Sequence, residues 1–173
     1  YNGSSDTIAM IDSLVASGEL FDAVIVDNQS PKADELVVIR DYVVGKYGVK
    51  AEHFEYETDR THNGYKIIIS DGKIVTLIQG LDNYGFAIGT NICLQYAIEA
   101  YPDAEYLTIL NNDTEVTSGF LTKIINRIEK NNLAAAMGTS LYYGYDKQYI
   151  WSVGGPVDYM KAQGVHVGKD TVF

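Results

Sequence analysis

The chain of 173 residues carries a formal net charge of −10, is 46% hydrophobic and contains only three prolines. These values favour a folded domain with an apolar core over a disordered chain. Nucleic-acid binders use Lys and Arg to neutralise phosphates, so the acidic balance argues against a nucleic-acid partner. Because Cys93 is the only cysteine, an internal disulfide and a cysteine-based zinc site are both excluded.

The first eighty residues predict helices and strands in alternation. The predicted elements are a helix at 4–18, a strand at 21–26, a helix from Ser30 to Gly45 or Gly48, a strand at 52–57 and a hairpin of 65–70 with 73–79. Serines that can cap, a proline at a first helical position and terminal glycines mark the helices. Asp71-Gly72 between two β-branched runs marks the hairpin.

The second half continues the alternation. The predicted elements are a helix at 90–100, strands at 106–110, 134–141, 149–153 and 165–168, and a helix at 119–131. Alternating strands and helices favour a mostly parallel sheet with helices on both sides. We therefore predict one α/β domain over residues 1–173.

The stretch from Tyr106 to Asp113 suggests a binding edge. An apolar, β-rich run, Tyr106–Leu110, ends in Asn111, Asn112 and Asp113. Ligands of open α/β sheets bind at the carboxyl ends of the strands, so these polar side chains are candidate ligands, and Asp113 is a candidate metal ligand. The alternative is that Asp113 and the following threonine only open a turn.

The segment Asn83–Asn91 leads into a predicted helix. Gly85 and Gly89 allow close approach of the backbone to a ligand, and a helix N-terminus attracts anions. The alternative is a purely structural entry to the helix.

Four motifs occur in a fixed order along the chain. They are Y-N-G at residue 1, V-D-N-x-S at 26–30, N-x-G-F-A-x-G-x-N at 83–91 and L-N-N-D-T-E-V at 110–116. Trp151 then precedes Gly154-Gly155, and His166 and Gly168 follow. Over nearly its whole length the chain resembles the family 2 glycosyltransferases of GT-A fold, with a Rossmann-like nucleotide-binding half, most closely the bacterial rhamnosyltransferase-like branch of cell-surface polysaccharide synthesis.

The resemblance implies a donor nucleotide site and a metal ligand. The donor-site positions are Tyr1, Asn2, Asp27, Asn83, Gly85, Asn91 and Asn112. Tyr1 and Asp27 would contact the base, and the segment from Asn83 would border the sugar. Asp113 would bind Mg²⁺ or Mn²⁺, which bridges the diphosphate oxygens. For Asp27 the alternative is a turn former after a strand.

The resemblance also implies an activity. The implied reaction is inverting transfer of a sugar from a nucleotide-diphosphate donor, with dTDP-rhamnose as one candidate, to a saccharide or lipid-linked acceptor. The implied location is the cytoplasm, at the inner face of the membrane. The stretch 58–79 is longer than the family pattern and is a candidate flap or dimer contact, which makes a homo-oligomer an option.

The family pattern includes a first strand before Tyr1 and an acceptor-side Glu-Asp motif that supplies the catalytic base. Neither is found between Tyr1 and Phe173, since Asp158 and Asp170 stand in other contexts. We therefore expect the chain to be truncated at both ends, with its base elsewhere. One alternative is a non-catalytic GT-A-like binding or assembly domain. A nucleotidyltransferase ranks last, because Gly3-Ser4-Ser5 lacks the basic residues of a triphosphate loop.

Overall fold

The computed structural model describes residues 2–31, 34–130, 137–158, 160–161 and 163–172. The chain divides into two compact units, Tyr1–Phe120 (unit 1) and Leu121–Phe173 (unit 2). Among the described residues, no helix combines the length and the apolar character needed to cross a membrane.

The described residues of unit 1 form three helices and four strands. In chain order they are α1 (Ser4–Ala16), β1 (Asp22–Asp27), α2 (Glu35–Tyr47), β2 (Gly48–Glu55), β3 (Thr61–Ile69), β4 (Ile74–Gly80) and α3 (Gly85–Ala100). Every helix and strand predicted before residue 101 is therefore present, with shifted ends.

The four strands form one sheet in the order β1-β4-β3-β2. Only β1 and β4 are parallel, while β3 is antiparallel to both β4 and β2. The prediction of a mostly parallel sheet is therefore wrong. The reason is local: β2, β3 and β4 follow one another through short connections, and short connections join antiparallel strands. The hairpin at Asp71-Gly72 is confirmed, with Gly72 in the left-handed region at φ 85°.

Helices α1 and α2 cover one face of the sheet. The fully buried residues on this face include Ile11 of α1, Val43 of α2, Ile67 of β3 and Leu77 of β4. Burial of each such side chain contributes about 1.5–3 kcal/mol relative to exposure. This apolar layer holds α1, α2 and the sheet together as the framework of unit 1.

Helix α3 lies on the opposite face. Phe54, Gly64 and Ile78 stand side by side across β2, β3 and β4, and the Phe54 ring contacts the ring of Tyr96 in α3. Helix α3 also packs against β1. Its first residue, Gly85, follows the carboxyl end of β4 closely, so this end of the sheet and the start of α3 share one edge of unit 1.

The predicted strand at Tyr106–Leu110 is wrong. These residues are irregular, they pair with no described strand, and Ile109 is 56% exposed. Leu110 is the exception, because it packs against the core beside α1 and α2. A strand needs a partner for its backbone as well as suitable side chains, and this run has none among the described residues.

In the part of unit 2 that the structure describes, the chain forms one helix and short strands. They are α4 (Phe120–Glu129), which begins at the last residue of unit 1, and β5 (Leu141–Tyr142), β6 (Ile150–Ser152), β7 (Val157–Asp158) and β8 (Gln163–Gly164). The pairs β5–β6 and β7–β8 are antiparallel. The predicted helix at 119–131 and strand at 149–153 are confirmed.

Two strand predictions in unit 2 have other outcomes. The strand at 165–168 is wrong, because its backbone groups bond individually to a loop: Val167 N donates to Gly154 O at 2.8 Å. Of the predicted strand at 134–141, residues 134–136 lie outside the described residues, residues 137–140 are not in a strand, and Leu141 begins β5.

Candidate functional site

The carboxyl ends of β1 and β4 place two polar side chains next to each other. Asp27 ends β1 and stands opposite Gln79 of β4. Gln79 Nε2 donates to Asp27 Oδ2 at 3.0 Å, and Ser30 Oγ donates to Asp27 Oδ1 at 2.5 Å. Ser30 Oγ in turn accepts a hydrogen bond from Asn2 N at 2.7 Å. Asn2 and Asp27, two predicted donor-site residues, therefore belong to one hydrogen-bonded network.

The same network explains why α2 begins later than predicted. Ser30 was expected to cap α2, but its backbone N–H and hydroxyl both bond to the Asp27 carboxylate. Helix α2 instead begins at Glu35, after Asp34 in the left-handed region at φ 72°. The Asp27 carboxylate thus bonds to the backbone N–H three residues later, as expected of a turn former after a strand.

The segment from Asn83 is anchored by asparagine side chains. Asn83 Oδ1 accepts a hydrogen bond from Gly85 N at 3.1 Å. Helix α3 starts at Gly85, whereas the sequence predicted a start at Thr90. The segment that was expected to be a loop is therefore the first turn of α3, and Asn91 lies exposed further along the helix.

Asn112 and Asp113 lie beside the start of α1. Asn112 Nδ2 donates to the hydroxyl of Thr7 at 3.2 Å, which places this amide against the first turn of α1. Asp113 is exposed in a turn that is closed by a hydrogen bond from Thr114 N to Asn111 O at 3.2 Å. Tyr1, the remaining predicted donor-site residue, lies outside the described residues.

The side chains near Asp113 can be compared with what a divalent cation needs. Within the described part of the chain, no group of three or more His, Cys, Asp or Glu residues could hold a metal ion. A single exposed carboxylate fits Mg²⁺ or Mn²⁺ only where substrate phosphates and waters complete the shell. The residues present therefore fit a cation that arrives with a phosphorylated ligand, and they do not fit a cation held by protein alone.

The two carboxylates considered as substitutes for a catalytic base both have local partners in unit 2. Asp158 accepts hydrogen bonds from the backbone N–H groups of Met160 and Lys161. Asp170 accepts a hydrogen bond from the Tyr143 hydroxyl at 2.7 Å, and this bond raises the pKa of Tyr143 to about 12. These contacts give both carboxylates structural roles in turns.

Two residues that join the site were not singled out from the sequence. Gln79 orients Asp27, and Asn28 hydrogen-bonds to the start of α3. The signal for Gln79 was a polar residue at the end of an apolar strand. Its contact with Asp27 depends on the register between β1 and β4, which the sequence does not reveal.

A mixed α/β unit with polar residues at the carboxyl ends of its parallel strands is consistent with a GT-A-like domain. The sequence model of Glycosyl transferase family 2 matches residues 55–169, which is more than half of the chain. A search of curated proteins found no match, and a search of solved structures found none. The chain belongs to glycosyl transferase family 2, and its class is therefore that of a glycosyltransferase.

The matched range divides the predicted site. It includes Asn83, Gly85, Asn91, Asn112 and Asp113. It does not include Asn2 or Asp27, which precede residue 55. Asn2 and Asp27 join the candidate site through their hydrogen-bonded network and through the sequence motifs around them.

Proposed function

We propose that the edge of unit 1 formed by the ends of β1 and β4 binds the nucleotide-diphosphate sugar of an inverting glycosyltransferase. The acceptor class that we propose is a saccharide or lipid-linked saccharide of bacterial cell-surface polysaccharide synthesis, and dTDP-rhamnose is a candidate donor. One observation carries the proposal: Asp27, Gln79 and Ser30 form a network at a strand end in a chain of this family.

Asp27 is the proposed contact for the base. An ionised carboxylate has about four lone-pair sites. The protein supplies three donors: Ser30 Oγ bonds to Oδ1, Gln79 Nε2 bonds to Oδ2, and Ser30 N is shared between both oxygens. The two shared contacts of Ser30 N, at 3.3 and 3.2 Å, are the longest of the set, so an N–H of a nucleotide base would bind in their place. The protein donors fix the orientation of this acceptor, which lowers the entropy lost when the base binds.

The start of α3 is the proposed contact for the sugar and diphosphate. Gly85 has a left-handed backbone at φ 73° and no atom within 4 Å of the position of an added Cβ. The backbone is therefore open on this side, and a ligand can approach it closely. Asn83 holds the turn by accepting from Gly85 N, and Asn91 offers an exposed amide on the same helix.

Asp113 is the proposed metal ligand, and Asn112 is fixed beside it by Thr7. A chain with a net charge of −10 repels a nucleoside diphosphate unless a cation intervenes. When bound, Mg²⁺ or Mn²⁺ would neutralise negative charge on the leaving nucleoside diphosphate. The exposed Asp113 carboxylate would hold the cation, because Mg²⁺ and Mn²⁺ prefer oxygen ligands.

The proposal is tested by calorimetric titration of the chain with UDP, dTDP and GDP, each with and without Mn²⁺. We expect one of the three to bind, and only with the metal present. Asp113→Ala should abolish the metal-dependent binding. Asp27→Ala should weaken it about tenfold or more, because a hydrogen bond to a charged group contributes about 1.5–3 kcal/mol.

The matched control is Asp103→Ala, which removes an exposed carboxylate of unit 1 outside the site. This variant should bind as tightly as the unchanged chain. Equal affinity for Asp27→Ala, Asp113→Ala and the unchanged chain would overturn the assignment of both residues. Absence of metal-dependent binding to all three nucleotides would overturn the donor site itself.

The second candidate is a GT-A-like domain that binds the nucleotide sugar without transferring it. The local partners of Asp158 and Asp170 favour it, because neither carboxylate is poised as a base. Incubation with the nucleotide sugar of the preferred base and Mn²⁺ distinguishes the candidates. Release of nucleoside diphosphate, by transfer or hydrolysis, supports the enzyme, whereas binding without release supports the binding domain.

A further inference from the structure

The side chain of Asn28 forms hydrogen bonds with the backbone of two residues at the start of α3, Tyr84 and Gly85. Asn28 follows Asp27 directly and is half-buried. Its Nδ2 donates to Gly85 O at 3.0 Å, and its Oδ1 accepts from Tyr84 N at 3.2 Å. Tyr84 is the residue that precedes the first turn of α3. Both ends of one amide therefore fix the backbone of two consecutive residues.

Two glycines lie close to this part of the chain, Gly80 beside the backbone of Asp27 and Gly89 beside the Asn28 amide. A Cβ added at Gly80 would lie 2.9 Å from the carbonyl oxygen of Asp27, and one added at Gly89 would lie 3.2 Å from Asn28 Nδ2. Both distances are shorter than ordinary contacts between carbon and neighbouring atoms. Any side chain at position 80 or 89 would therefore push on Asp27 or on the amide of Asn28.

The contacts of Asn28 connect two parts of the donor site that belong to different elements. Asp27 is held by Gln79 of β4 and by Ser30. The start of α3 is held to β1 by Asn28. If Asn28 is lost, Asp27 keeps its own partners, but the start of α3 loses two hydrogen bonds to the end of β1.

We propose that Asn28 is a positioning residue that sets the start of α3 relative to Asp27, so that one nucleotide-diphosphate sugar contacts both. This inference rests on the proposed donor site and deepens it. Asn28 acts through Tyr84 and Gly85 and is not assigned a contact with the substrate. The amide is required in this role because its two ends have opposite hydrogen-bonding character.

The first arm of the test needs no nucleotide. Hydrogen exchange is measured at the backbone N–H of Tyr84, which donates a hydrogen bond to Asn28 Oδ1. Asn28→Ala should raise the exchange rate of this amide at least tenfold, whereas Asn28→Asp should keep much of its protection because a carboxylate still accepts. Unchanged exchange in Asn28→Ala would overturn the positioning role regardless of any binding result.

The second arm measures dissociation constants of dTDP, UDP and GDP with Mn²⁺. For the nucleotide that binds the unchanged chain, Asn28→Ala should raise the dissociation constant about tenfold. Asn28→Asp should raise it at least as much, because its carboxylate oxygen would face the Gly85 carbonyl oxygen that Nδ2 now contacts. The control Asn126→Ala removes an exposed amide of α4 and should leave binding unchanged.

The third arm tests the contact through a double-mutant cycle. Gly89→Ala should weaken binding several-fold by displacing the Asn28 amide, although alanine favours helix over glycine by up to about 1 kcal/mol. In the Asn28→Ala background the added methyl group has no amide to displace, so Gly89→Ala should have no further effect. Equal weakening in both backgrounds would overturn the contact between the two residues.

The results also distinguish failure of the donor site from failure of the positioning role of Asn28. If the unchanged chain binds none of the three nucleotides, the donor site fails, and with it the link between Asn28 and substrate. If the unchanged chain binds and Asn28→Ala binds equally well while remaining folded by circular dichroism, the donor site stands and the positioning role fails.

Discussion

Gly64 of β3 offers a sharp test of how the sheet is packed. A Cβ added there would lie 2.3 Å from the backbone carbonyl oxygen of Leu77 and 2.8 Å from the Phe54 ring. The ring can turn, but the carbonyl belongs to the neighbouring strand and cannot move without shifting β4. Overpacked sites cost about 1–3 kcal/mol. Because the obstacle is backbone, we expect Gly64→Ala to lower the free energy of unfolding by about 2–3 kcal/mol.

The matched control makes the same chemical change on a helix. Gly45 lies exposed within α2, and nothing lies within 4 Å of the position of its added Cβ. Alanine favours helix over glycine by about 1 kcal/mol. Gly45→Ala should therefore raise the free energy of unfolding by up to about 1 kcal/mol. The same glycine-to-alanine substitution is thus expected to stabilise the protein at position 45 and to destabilise it at position 64.

The assay is urea unfolding followed by far-ultraviolet circular dichroism, since α1, α2 and α3 all lie in unit 1. With an m-value of about 1.5 kcal/mol per molar urea, Gly64→Ala should lower the midpoint by about 1.5 M. A midpoint for Gly64→Ala equal to or above that of the unchanged chain would refute the reasoning about the contact between β3 and β4.

Two further predictions concern titrating groups. Burial raises the pKa of the Cys93 thiol from 9.0 to about 11, so the thiolate fraction at pH 8 falls about a hundredfold. Iodoacetamide should therefore alkylate Cys93 only after the chain is unfolded in urea. Rapid alkylation of the folded chain would contradict this prediction. Burial alone would raise the pKa of Asp12, but hydrogen bonds from Lys46, Tyr42 and Tyr47 outweigh it and lower the pKa below 3.8. The stability that Asp12 contributes is therefore present above pH 3.8 and lost as the pH falls through the lowered pKa. In Asp12→Asn, the free energy of unfolding should fall less steeply on acidification than in the unchanged chain. An equally steep fall in both proteins would contradict this prediction.

Local patterns in the sequence predicted the elements of unit 1 well. The Asp-Gly hairpin and the apolar periodicity of α1 and α2 depend on neighbours a few residues away, and the structure confirms all three. Their ends were less predictable. Ser30 could cap α2 as easily as bond to Asp27, and only the fold chooses the second option.

Features that depend on distant parts of the chain were not predictable in the same way. Alternating helices and strands predict parallel crossovers, whereas β2, β3 and β4 have short connections, and short connections join antiparallel strands. The run Tyr106–Leu110 has the composition of a strand but no described pairing partner. Composition therefore indicates what a segment is able to form, and partners decide what it does form.

The candidate site shows the same division. The motifs placed Asp27, Asn83 and Asn112 in order along the chain, and strand-end logic predicted that such residues meet at an edge. The sequence does not reveal the hydrogen bonds that hold Asp27 and the start of α3, because they come from Gln79 across the β1–β4 register and from the side chain of Asn28. Roles at the site depend on these supporting contacts as much as on the motifs.

The irregular run Tyr106–Leu110 has a consequence for the behaviour of the protein in solution. It is uncharged and free of proline, and its Tyr106, Thr108 and Ile109 favour extended structure. Leu107 and Ile109 are also exposed, and such a segment is able to add to other chains. At low ionic strength the net charge of −10 keeps molecules apart. Salt shortens the range of that repulsion to about 10 Å at 0.1 M. We therefore expect electrostatic repulsion to keep the molecules apart, and added salt to promote their self-association.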